Sequence, residues 1–155
     1  MARLDGPQAV PFDLVREAWN EYIFSDHVTV RIRLILTSVL QESEYGRLSF
    51  ETKKVTSVSA PDDLRGTPDE FEQGSDGNVP RFECPILLRD EKWNEYYLKE
   101  NSRSVKIIFV ASKAFRLLKA YDHFGQPIYC VDGRPLIKFF DEKSEEAGPI
   151  SESSS

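Results

Sequence analysis

The chain has 155 residues, 40% hydrophobic and 12% aromatic, enough for the core of one globular domain. It has no run of 18 apolar residues and only two cysteines, which excludes a helical membrane span and a disulfide framework. The net charge of −6 is uneven: residues 59–83 hold seven acids and two bases, residues 141–155 hold five acids and one base, and removing their combined −9 leaves +3 elsewhere.

The opening MARLDGPQAVPF lacks the apolar stretch of a secretory signal, so a cytoplasmic location is expected. In PFDLVREAWNEYI (11–23), Leu14, Val15, Ala18, Trp19, Tyr22 and Ile23 fall at helical spacing, with Asp13 placed to cap. The tetrapeptide WNEY returns at 93–96, where Glu91 and Lys92 interrupt that apolar stripe. Strands from Trp19 to Phe24 and from Trp93 to Leu98, each entering a hairpin at SDH or KENSR, suit both copies better. The alternative is an α+β chain with helices at 13–24 and 91–98.

In VTVRIRLIL (28–36), apolar residues alternate with Thr29, Arg31 and Arg33 up to Leu34, after which the phase slips as at a bulge. Strands are also expected at 47–58, 85–89, 104–118, 127–131 and 135–140, with Asp132-Gly133 as a hairpin signal between the last two. The Pro-, Gly- and acid-rich stretch 59–83 reads as a flexible acidic linker, and 141–155 as a disordered acidic tail.

The two WNEY blocks extend into a longer match. PFDLVREAWNEY (11–22) aligns with PILLRDEKWNEY (85–96), placing Pro11, Leu14 and Glu17 opposite Pro85, Leu88 and Glu91. One inserted residue then brings TVRIRLILTSVL (29–40) onto SVKIIFVASKAF (104–115). The predicted fold is all-β, with room for a short helix: two tandemly duplicated β-meanders, repeats 10–58 and 84–140. They would pack as one pseudo-two-fold barrel or sandwich within a single domain, 1–140, because a unit of about fifty residues buries too little surface alone.

Catalytic signals are sparse. His27 and His123 sit in turn contexts and do not correspond between the copies, while Cys84 and Cys130 read as ordinary half-buried thiols. Zinc spacing, a nucleophile elbow, a P-loop and a dinucleotide fingerprint are all missing from the sequence. No catalytic residue, cofactor or metal is therefore assigned, and a non-catalytic binding or scaffold module, acting on a protein partner or by self-association, is expected.

Two residue sets remain. Trp19, Asn20, Glu21, Tyr22 and Trp93, Asn94, Glu95, Tyr96 are either a repeated packing corner or a pair of ligand pockets. As a corner, both Trp residues should be largely buried and both Asn amides should bond main chain near their own hairpins. Arg31, Arg33, Lys106, Lys113, Arg116 and Lys119 offer the second reading, a basic face for single-stranded nucleic acid.

Overall fold

The structure, a computed structural model, describes residues 6–42, 46–68 and 80–141. Among the described residues ten strands follow in order: β1 (Gln8–Ala9), β2 (Asp13–Arg16), β3 (Trp19–Phe24), β4 (Thr29–Gln41), β5 (Leu48–Ser59), β6 (Arg81–Glu83), β7 (Ile86–Asp90), β8 (Asn94–Leu98), β9 (Arg103–Tyr121) and β10 (Pro127–Asp141). They form two packed antiparallel sheets. In the first, β4 pairs β5 along one edge and β3 and β1 along the other, with β7 outside β3. In the second, β9 pairs β10 along one edge and β8 and β6 along the other, with β2 outside β8. Neither sheet closes, so the architecture is a sandwich and not a barrel.

The two sheets share one pattern of pairing, with one exchange. β2 leaves its neighbours in sequence to pair with β8, and β7 crosses the other way to pair with β3. Registers agree in detail. Val10 donates its N–H to Val39 O at 2.8 Å, and Cys84, 74 positions on, donates to Ala114 O at 2.7 Å.

Alternation explains the core. Tyr22, Phe24, Val30, Ile32, Leu34 and Leu36 point inward from one sheet, against Tyr96, Leu98, Val105, Ile107 and Phe109 from the other. The phase then slips in both long strands. β4 has its register shift between Leu36 and Ser38, and β9 has one opposite Asp132–Gly133, where Ser112 is left out of the pairing. The skipped residues make the same bond: Thr37 Oγ1 donates to Glu51 O at 3.0 Å and Ser112 Oγ to Asp132 O at 3.2 Å. No slip follows Leu34, since alternation runs on through Leu36; the bulge lies farther along, at Thr37.

Three expectations are corrected. The helices at 13–24 and 91–98 do not form, and no α-helix occurs among the described residues. Trp19–Phe24 alternates in burial with period two, whereas the apolar Leu14 and Val15 lie exposed on an edge strand. Asp132-Gly133 is not a hairpin, because β10 runs through it. Gly133 sits in the bulge with Val110 O 2.3 Å from where a Cβ would lie, so glycine is required there for close approach, not for a turn. Finally, β6 falls inside the stretch read as linker. Of residues 59–83, Asp62–Leu64 form a 3-10 turn, Gly66 N–H donates to Gly125 O at 2.9 Å and Arg81–Glu83 pair with β9, while 69–79 lie outside the described residues. Of the predicted acidic tail, 142–155 lie outside them too.

Candidate functional site

The WNEY segments enter β3 and β8 with Asn and Tyr facing in. Asn20 and Asn94 are each 3% exposed, and Tyr22 and Tyr96 are fully buried. Every polar atom of these side chains reaches the opposite half of the chain. Asn20 donates Nδ2–H to Phe109 O (2.9 Å) and to Tyr22 Oη (3.1 Å), and its Oδ1 accepts from Lys92 N–H (2.8 Å). Asn94 donates to Leu34 O (2.9 Å) and accepts from Ala18 N–H (2.8 Å).

Two carboxylates complete the arrangement. Tyr22 Oη donates to Glu91 Oε2 at 2.8 Å and Tyr96 Oη to Glu17 Oε2 at 2.7 Å. Glu91 also accepts from Ala111 N–H and Arg89 Nη1, and Glu17 from Arg33 Nη2. Burial, then the hydrogen bond to the carboxylate, raises both phenol pKa values far above 10.0. The repeated unit is therefore Glu-x-Trp-Asn-x-Tyr. Glu17 and Glu91 escaped notice as site residues although the aligned sequence placed them opposite one another.

The amides do bond main chain, but not near their own hairpins: each bonds the other half, 60 to 89 positions away. They are engaged, not turned towards a cleft. The outward members behave differently. Trp19 is 37% exposed, with the Arg33 guanidinium 6.0 Å from its ring centroid, and Trp93 is half-buried under Lys138 Nζ at 5.2 Å. The largely buried Trp positions are not found, because strand alternation puts Trp on the face opposite Asn. Glu21 bridges Arg31 at 2.8 Å and Glu95 lies half-buried opposite Lys106.

The six basic residues do not gather. Arg31 and Arg33 stand on the outer face of β4, engaged by Glu21 and Glu17, and Lys106 on the outer face of β9, over the Phe140 ring. Those faces look in opposite directions. Lys113 and Lys119 are exposed farther along β9, and Arg116 turns to Asp26 at 3.6 Å. His27 occupies a left-handed turn position (φ 66°) and His123 rests against Phe124 at 4.1 Å. No disulfide joins Cys84 and Cys130, and burial together with the nearby Asp26 carboxylate pushes the Cys84 thiol up to about 11. Among the described residues no cluster of three His, Cys, Asp or Glu could hold a metal, and no helix is long and apolar enough to cross a membrane.

Large apolar side chains are exposed on two edge strands, where β2 presents Leu14 (57%) and Val15 (55%) and β7 presents Leu87 (57%) and Leu88 (62%), and also at Phe124 (66%) and at Leu136, Ile137 and Phe139 on β10. Searches against family models, curated proteins and solved structures find no match.

Proposed function

We propose that the chain is an internally duplicated, non-catalytic assembly module, in which the WNEY corners lock the two repeats together and the exchanged strands β2 and β7 join copies of the protein edge to edge. The observation that carries this reading is the pattern on those edges. Edge strands are ordinarily protected by charge or proline, yet both of these display paired large apolar side chains. The sequence of β2 is also self-complementary in the antiparallel sense: laid against β2 of a second copy, it sets Asp13 opposite Arg16 and Leu14 opposite Val15, while β7 laid against β7 can set Leu87 opposite Leu88, with Ile86 opposite Arg89.

Sedimentation velocity across a micromolar to millimolar range tests the reading. Wild-type chain should sediment as a concentration-dependent dimer or longer assembly. Leu14→Lys and Leu88→Lys should each weaken association, while changing stability by no more than about 0.5 kcal/mol, as solvated positions do. A wild-type chain that stays monomeric throughout defeats it.

A further inference from the structure

The two ends of the sandwich occupy corresponding stations yet differ in chemistry. Phe24 meets Val28 across the first hairpin as Leu98 meets Arg103 across the second, and the residues before these, His27 and Ser102, both take left-handed backbone (φ 66° and 49°). Asp26 thus corresponds to Asn101, and likewise Gln41 pairs Leu48 where Arg116 pairs Tyr129. The first pole is closed. Its Asp26 carboxylate accepts Tyr129 Oη–H at 2.7 Å and Val28 N–H at 3.3 Å and lies 3.6 Å from Arg116. At the second, open pole Asn101 rims a cleft of about 320 Å³ with Gln41 and Leu48.

The closed pole also carries an extension. β4 ends at Gln41, but β9 runs on past the matching Arg116 as far as Tyr121. There the pairing with β10 breaks. Between the Arg116–Tyr129 and Tyr121–Pro127 pairs, residues 117–120 face Ile128 alone, with Lys119 in left-handed backbone (φ 61°), and Leu117 is buried there outside the central core cluster. A strap, residues 60–66, lies across this bulge. Ala60 N–H donates to Gln126 Oε1 at 3.2 Å, Arg65 Nη2 to Phe124 O at 3.4 Å and Gly66 N–H to Gly125 O at 2.9 Å. The strap's 3-10 turn sets Asp63 and Leu64 in a cleft of about 90 Å³ shared with Arg116, Leu117, Lys119 and Tyr121. Gly66 lies against the Tyr121 ring, into which a Cβ would run, and a Cβ on Gly125 (φ 84°) would fall 2.6 Å from Gly66 O. Of residues 61–68 only Leu64 and Gly66 are half-buried. The strap is thus gripped by one leucine side chain and one bare stretch of backbone.

We propose that this recess is a binding site for an extended peptide, with the strap as its built-in occupant. The sequence it takes is an acidic residue, a leucine, one unrestricted residue and a glycine, as in Asp63-Leu64-Arg65-Gly66. The leucine enters the cleft that Leu117 lines, and the acid shares it with Lys119 and Arg116. The glycine passes between the Tyr121 ring and Gly125, where a side chain would clash. The ligand is a partner protein's segment of this kind, which displaces the strap. Tethered to β5, the strap competes at an effective concentration on the order of millimolar and keeps the site shut to weak ligands. Neither β2 nor β7 contributes to the recess, so its occupancy is independent of edge-to-edge association.

Fluorescence anisotropy of a labelled peptide APDDLRGTP, residues 60–68, titrated with the full chain tests this. Gly66→Val, which keeps the chain's own strap from seating, should bind the peptide saturably. Wild type should bind it at least about tenfold more weakly, because its strap competes. Leu64→Ser loosens the strap without crowding the Tyr121 ring and carries the same comparison should the first variant not fold. The peptide carrying G66V or L64S should bind neither chain, and Gly125→Ala added to Gly66→Val should weaken binding at least about tenfold. The proposal is overturned by no binding to either strap variant up to about 1 mM, by equal binding to wild type and both variants, by a G66V peptide as good as the native one, or by indifference to Gly125→Ala. It is overturned too if Gly66→Val abolishes assembly of the chain in sedimentation, since the segment seated in the recess would then be a second copy's strap.

Discussion

Asn20 and Asn94 make matching bonds across the sandwich, to Phe109 O and Leu34 O at 2.9 Å and from Lys92 and Ala18 N–H at 2.8 Å. Asp26 and Asn101, at stations just as closely related by register, share almost nothing: one is closed in an ion cluster, the other rims a cleft. The difference follows from who depends on each side chain. A corner amide satisfies buried backbone belonging to the opposite half, so altering one corner orphans groups that the same half cannot repair. A side chain at the open pole borders solvent, which accepts whatever hydrogen bonds it abandons. Where Val28 fills core at one pole, Arg103 can stand at the other.

The harshest way to break corners and closed pole together is to remove protons. Tyr22, Tyr96 and Tyr129 all have folded-state pKa values raised well above 10.0, by burial first and then by their carboxylate partners. Cys84 is raised from 9.0 to about 11. A raised folded pKa means that the unfolded chain loses its proton first, so the contribution is complete below the unfolded value and is lost as pH climbs past it. Stability measured by urea unfolding should be flat through neutrality, decline from about pH 9 and steepen beyond pH 10, each group adding up to about 1.4 kcal/mol per pH unit. A flat profile to pH 11 would mean the phenols are not buried as described.

Single substitutions sharpen the comparison. Asn20→Leu and Asn94→Leu should each cost about 3 kcal/mol, because each strands a buried carbonyl and a part-buried N–H of the other half at roughly 1–3 kcal/mol apiece. The two costs should agree to within about 1 kcal/mol, and a large inequality would separate corners that the geometry treats alike. Tyr22→Phe and Tyr96→Phe keep the ring and lose only the hydroxyl's bond to a carboxylate, a smaller loss of about 1.5–3 kcal/mol.

Much of this was legible in the residues. Period-two alternation in Val28–Leu34 located β4, and the repeated WNEY marked the corner, while Glu17 and Glu91 were aligned without being assigned to it. The strand exchange was not legible, because nothing local in Asp13–Arg16 says whether it pairs with the nearby β3 or with β8, some 80 residues away. That choice is made by long-range packing. For the same reason the Asn partners were sought in the wrong half. Asp132-Gly133 misled for another reason: glycine's small size serves a tight turn and a close backbone approach equally, and only the facing Val110 carbonyl distinguishes them. The cleft at the second pole could not be seen at all, since it exists only where Gln41 and Leu48 from one half meet Asn101 and Arg103 from the other.

The smallest effects should come from the most conspicuous residues. Trp is ordinarily among the costliest side chains to truncate, about 3–5 kcal/mol when fully buried. Here the strand places Trp19 on the outer face, 37% exposed, where it meets Arg33 and leaves the core to Asn20 and Tyr22. What Trp19→Ala removes is partial apolar burial and a solvent-screened cation–π contact of about 0.5–1 kcal/mol. A total near 1 kcal/mol is expected, with Trp93→Ala costing somewhat more because Trp93 is half-buried. Urea unfolding of the two variants beside Asn20→Leu decides the matter. If the Trp changes prove costlier than the Asn change, the corner is held by its aromatic face, and the reciprocal hydrogen bonds merely accompany that packing. If they cost less, WNEY is a polar latch, and Trp is kept outward for a purpose that stability does not explain. The direct check of that purpose is to repeat the sedimentation series on Trp19→Ala and Trp93→Ala, where association weakened without loss of fold would place the indoles in the contact between copies.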